Sequence, residues 1–153
     1  MFAADTDSYG LQRGSVGVNV AGGAWINGGT HPTVHGGLDV GLAKYVGLWF
    51  QAGEGLAYNA QVGVFSAGGG VMVAATNKSR IVPFGKFGAM YNRSTLFGYG
   101  GVNVPVLAYG GGFDVYASRH FGIETQVGGG HSVGRFGGGN SATITFGAFY
   151  RSK

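Results

Sequence analysis

Cysteine is absent from the 153 residues, which excludes disulfides, thiolate metal sites and thiol nucleophiles. Proline occurs three times, and glycine does not recur at every third position, so a collagen-like chain is excluded as well. Charged residues make up only 10%, against about 25% in ordinary soluble domains. Set beside a hydrophobic content of 44%, that low charge also excludes intrinsic disorder. No run approaches the ~18 consecutive apolar residues of a transmembrane helix. Met1-Phe2-Ala3-Ala4 leads straight into Asp5 and Asp7, so no cleavable leader is expected. The formal net charge is +4, but the ten Lys and Arg residues are scattered singly. They do not form the basic cluster of a nucleic-acid binder, and no nucleic-acid partner is expected.

Glycine is what the chain has in excess: 34 of 153 residues, or about 22%, three times the usual ~7%. Around it runs a period-two alternation. Val16, Val18 and Val20 alternate with Ser15, Gly17, Asn19 and Ala21, and Leu38, Val40 and Leu42 with Gly37, Asp39, Gly41 and Ala43. Phe121, Ile123, Thr125 and Val127 alternate with Gly122, Glu124, Gln126 and Gly128. Such alternation marks strands with one apolar face, and glycine interrupts every candidate helical stripe. Eight strands are expected, at roughly 13–26, 35–44, 47–58, 61–76, 80–92, 104–118, 121–131 and 141–151. Lys44-Tyr45-Val46, Thr76-Asn77-Lys78-Ser79 and Ser118-Arg119-His120 read as tight turns. Segments 27–34, 93–103 and 132–140 read as longer loops, with a short link at Asn59-Ala60 as the exception. Alternating long and short links are the pattern of an up-and-down meander.

The face opposite the apolar one carries mostly glycine and alanine, with isolated Asn19, Asp39, Gln51, Lys86, Asp114, Glu124 and Gln126. A soluble sheet would place many Lys, Glu, Thr and Ser there. A narrow lumen filled by small residues fits better, with the apolar face turned to lipid. Closure then follows, because open sheet edges are not tolerated in hydrocarbon. The expected fold is therefore all-β: a closed eight-stranded antiparallel up-and-down transmembrane β-barrel. The glycine triplets 68–70, 110–112 and 128–130 fall inside strands, where they permit tight curvature. The alternative is a soluble, lipocalin-like barrel holding a small apolar ligand.

Several stretches resemble the small porin-like outer-membrane β-barrel family (the OmpA/OmpX type). Gly37 through Leu48 is similar to its second strand, periplasmic turn and third strand, and Val82-Pro83-Phe84-Gly85 to the start of its fifth. Gly110 through Tyr116, with Ser118 through Glu124, resembles its sixth strand, turn and seventh strand. Thr145 through Arg151 resembles the closing strand, although Ser152 stands where the family usually ends on an aromatic, leaving Tyr150 to serve instead. The resemblance implies a bacterial outer-membrane location, tight turns in the periplasm and loops outside. It implies a periplasmic segment over residues 1–12 and a barrel domain over 13–153. The implied role is structural or interactive: surface-loop presentation, envelope integrity or membership of an envelope assembly, without a wide pore.

On that topology Arg13, Lys44, Lys78, Arg80, Arg119 and Lys153, with Arg151, fall near the periplasmic rim. They form either simple polar turns or a ring for anionic lipid headgroups and the cell wall. The partners expected are outer-membrane lipids, with the cell wall and other envelope proteins as further candidates. The lumen is expected to hold a paired network of Asp39, Gln51, Lys86, Asp114, Glu124 and Arg151, because a lone buried charge is costly. That network reads as a plug, or as a gate or proton path. No cofactor and no metal is expected, since His31, His35 and His131 lack carboxylates around them. Gly85-Lys86 has no phosphate-loop lead. His131-Ser132 with Glu124 is the one hint of a lipid A-modifying hydrolase. As strand neighbours, however, His131 and Ser132 point to opposite faces. No enzymatic activity is expected.

Overall fold

A computed structural model of the chain describes residues 8–57, 62–96, 99–133 and 139–152. The eight strands are β1 (Val16–Ile26), β2 (Thr30–Ala43), β3 (Val46–Ala57), β4 (Val62–Ala74), β5 (Ile81–Leu96), β6 (Tyr99–Tyr116), β7 (Phe121–Ser132) and β8 (Asn140–Arg151). Each pairs antiparallel with the next, and β1 closes on β8 through pairs such as Val18↔Tyr150 and Gly22↔Phe146. Every strand edge is thereby satisfied. Both described termini and the links β2–β3, β4–β5 and β6–β7 lie at one end, the terminal end; the other end is distal.

Four strand limits differ clearly from the sequence expectation. Segments 27–34 and 93–103 are not long loops: β2 already starts at Thr30, while β5 runs to Leu96 and β6 resumes at Tyr99. In β2 the polar His31 and Thr33 occupy inward positions of a continuing strand, and an inner face that is polar looks like a loop in sequence. The first strand begins at Val16 rather than at residue 13. The Asn59-Ala60 link lies outside the described residues.

Outward positions are apolar and exposed around the whole barrel: Val20 is 59% accessible, Phe87 61%, Val127 59% and Phe146 61%. A barrel folded for water would bury these side chains, so the soluble lipocalin-like alternative fails. Tyr45, Tyr91, Phe121 and Tyr150 are exposed near the ends of the strands, as interfacial aromatics are. In the sequence, strand position places Trp25 and Tyr58 in that girdle as well, and Trp25 is a correction. It faces inward, with its ring centroid 5.5 Å from that of His31. Tyr58 lies outside the described residues. Glu54 does face outward, because β3 keeps unbroken register with β4 from Val46↔Val73 to Ala57↔Val62. It sits near the distal rim, where an exposed charge costs about 0–1 kcal/mol.

The expected boundary between residues 12 and 13 does not divide the structure. Residues 8–12 fold into the terminal end of the lumen, where Leu11 is fully buried. Tyr9 bridges to Asn77 in both directions, and Thr76 Oγ1 donates to the Leu11 carbonyl at 2.7 Å. Gly10 has φ +100°, and a Cβ there would also strike the Ala75 carbonyl. Leu11 joins Met72, Ala74, Val82, Phe84, Tyr116 and Phe149 in an apolar cluster inside the barrel.

The three glycine triplets lie in β4, β6 and β7, and their inward members set how tightly the wall closes. At Gly112 an added Cβ would run into the Thr125 carbonyl of β7, whereas at Gly36, on the outer face, the nearest atom is 3.6 Å away. Gly112→Val is expected to destabilise the barrel by about 1–3 kcal/mol, the usual cost of overpacking. Gly36→Ala should change stability little. Urea unfolding midpoints of the lipid-reconstituted protein, followed by tryptophan fluorescence, check both.

Candidate functional site in the barrel lumen

Side chains alternate across a strand, so five inward positions on five different strands bring Asp39, Lys86, Asp114, Glu124 and Arg151 into one layer. All five are buried, from 0% exposure at Asp114 to 7% at Lys86. Asp114 and Glu124 are direct cross-strand partners, an arrangement of like charges that is unfavourable by itself. Arg151 offsets it. Its Nη1 donates to Asp114 Oδ2 at 3.0 Å and to the Tyr116 hydroxyl at 2.7 Å, and its Nη2 donates to Asp39 Oδ2 at 3.2 Å. Lys86 Nζ lies 3.8 Å from Asp39 and 3.7 Å from Glu124, and Asn19 Nδ2 donates to Glu124 Oε2 at 3.1 Å. Three carboxylates against two cations leave a formal charge of −1.

This network rests on the apolar cluster. The Tyr116 ring packs between Tyr9 at 4.9 Å and Phe149 at 4.8 Å. Arg151 lies 5.5 Å over the Phe149 ring, and Lys86 4.9 Å over Phe84. Charge layer and apolar layer together fill the terminal half of the lumen. On the distal side of the charge layer is a cavity of about 110 Å³ lined by, among others, Trp25, His35, Trp49, Gln51, Lys86 and Asn92.

The structure thus brings together five of the six residues expected in the network, while Gln51 opens on the cavity. Arg13, Lys44, Lys78, Arg80 and Arg119 are exposed at the terminal end as expected. Arg151 is turned into the lumen, and Lys153 lies outside the described residues. His31 and His35 face inward from β2 while His131 lies on β7 with Nδ1 2.9 Å from Asn140 Oδ1. Among the described residues no group of His, Asp and Glu could hold a metal. His131 is exposed, whereas Glu124 is buried seven residues down the strand, roughly 23 Å at strand spacing; the trio makes no hydrolytic site. Sequence reading missed His35, Trp49 and Leu11 as lumen residues. For His35 the signal was parity, since it shares the inward phase of Asp39.

Arg151→Leu is expected to cost about 3–5 kcal/mol, because it strands two buried carboxylates. Adding Asp39→Asn and Asp114→Asn should recover most of that loss, which unfolding free energies of the single and the triple variant read directly.

The chain matches no family model and no curated protein. Its structural relatives are solved barrels. The N-terminal β-barrel domain of Pseudomonas aeruginosa OprF superposes with a TM-score of 0.76 at 15% identity, over 92% of this chain and 98% of that one. Neisserial surface protein A superposes at 0.71 with 11% identity, over 89% and 95%. The outer membrane protein OprG of Pseudomonas aeruginosa superposes at 0.62 with 12% identity, over 94% and 98%. At such low identity the likeness is one of fold, and it agrees with the apolar exterior and the charged interior. The chain has the fold of the eight-stranded outer-membrane β-barrels.

Proposed function

We propose that this protein works in a bacterial outer membrane as a non-enzymatic barrel with a structural or interaction role, and without a wide pore. One observation carries the reading: an apolar exterior surrounds a lumen packed across its width, with Leu11, Met72, Val82, Asp114 and Glu124 all below 2% exposure. Eight strands leave room only for side chains, and here those side chains fill the terminal half. The remaining surfaces are the two ends and the lipid-facing belt.

The terminal end suits contact with anionic partners. Arg13, Lys44, Lys78, Arg80 and Arg119 are exposed there, whereas the described carboxylates are Asp39, Asp114 and Glu124 in the lumen and Glu54 at the distal rim. Basic residues at a membrane surface each attract anionic lipid by about 1 kcal/mol. This supports outer-membrane lipids as the first partner of the ring, with the cell wall and envelope proteins as candidates beyond the headgroups. The distal end, where the short β1–β2 link lies, is on this reading the surface presented outward.

The test is reconstitution. The purified chain should insert into phospholipid vesicles as a β-rich, protease-resistant form, and planar bilayers containing it should show no large stable conductance steps. Steady conductance of porin size would overturn the sealed-lumen reading.

A further inference from the structure

The distal cavity has a polarity of its own. Asp39, Asp114 and Glu124 do not line it; among the described residues the basic side chains on its wall are Lys86 and His35, with the Tyr109 phenol as a further titratable group. Both are buried, at 7% exposure each. His35 Nε2 has no hydrogen-bond partner among the described residues. The Lys86 ammonium has three donors. Its contacts to Gln126 Oε1, Glu124 and Asp39 lie at 3.5, 3.7 and 3.8 Å, longer than the ~2.7–2.9 Å of a charge-assisted hydrogen bond. Two buried nitrogen groups, in side chains that line the cavity, therefore have unused hydrogen-bonding capacity.

The rest of the wall divides in two. Val64, Met90, Val106 and Ala108 supply an apolar patch, and the indoles of Trp25 and Trp49 flank it. Ser66, Asn92, Thr143 and Thr145 supply neutral polar groups. A volume of about 110 Å³ holds far more than one water, which needs roughly 10–15 Å³ by the same measure. Basic groups at the floor, an apolar patch beside them and no carboxylate on the wall are complementary to a small organic acid anion.

We propose that the distal cavity binds a short-chain carboxylate of about half a dozen heavy atoms. The carboxylate oxygens accept from Lys86 Nζ and from His35 in its Nε2–H tautomer. The alkyl part lies against Met90, Val106 and Trp49. The three network carboxylates stay behind the ammonium, so they hold Lys86 in place without occupying the cavity. This binding activity is independent of the role in the envelope, and it is measurable in detergent micelles.

The chain has two tryptophans, and both line the cavity, so intrinsic fluorescence reports on it alone. The folded full-length protein is titrated with sodium propionate at constant ionic strength, with propionamide as the isosteric neutral probe and propylammonium chloride as a cationic probe of similar length. A saturable response to propionate is expected, with binding at least tenfold weaker for propionamide and no response to the cation. Lys86→Met should weaken propionate binding at least tenfold. Ser66→Leu, which fills the cavity without touching a charge, should do the same, and it decides the matter if Lys86→Met does not fold. A response that is only linear in propionate, that propionamide reproduces, or that survives Ser66→Leu overturns the proposal.

Discussion

In hydrocarbon no water is available to satisfy a backbone N–H or C=O, and each one left unpaired costs several kcal/mol. The rest of this structure follows from meeting that constraint with eight strands. Pairing β1 with β8 removes the last edge. Once the sheet is closed at this size, the interior is narrow, and it must be filled from inward positions alone. Glycine serves there because neighbouring backbones approach too closely for a Cβ, as at Gly70, Gly88 and Gly112. The apolar side chains, having no room inside, take the outer face, where lipid accepts them.

The same geometry explains why charges sit at the centre. A lumen too narrow for bulk water and too polar to be an oily core is stable only if its charges are shared. Arg151 binds two carboxylates and a phenol at once, and Lys86 lies among the remaining acceptors. Such an arrangement contributes little net free energy over an apolar filling, because desolvation offsets most of the attraction. What it confers is register: the five charged groups come from five different strands, so a slip of one residue would turn a charge out to lipid. Beneath it, residues 8–12 complete the terminal end with Leu11 and Tyr9, so these residues belong to the barrel's interior.

Much of this was legible in the chain because a period of two is a strong signal and glycine on one phase of it is unusual. Strand number, antiparallel order, closure and the inward phase of Asp39, Lys86, Asp114 and Glu124 all follow from alternation. What alternation hides is where a strand stops when its inner face is itself polar: His31 and Thr33 look like loop residues although β2 runs through them. Trp25 misled for the converse reason, since a tryptophan near a strand end is usually interfacial, whereas here it turns into the cavity beside His31. The inward fold of residues 8–12 carries no periodic signal at all. Gly10 in its left-handed conformation and the long-range contacts of Tyr9 with Asn77 are tertiary facts.

The orientation of the two faces is the claim on which everything else rests, and paramagnetic broadening reads it residue by residue. With the protein in bilayer nanodiscs carrying a spin label midway along the lipid acyl chain, the methyl resonances of Val20, Val127 and Ile144 should broaden strongly, while those of Leu11, Val64 and Val82 stay sharp. Broadening of the second group by the lipid label, or of the first group only by a water-soluble agent, would contradict the account.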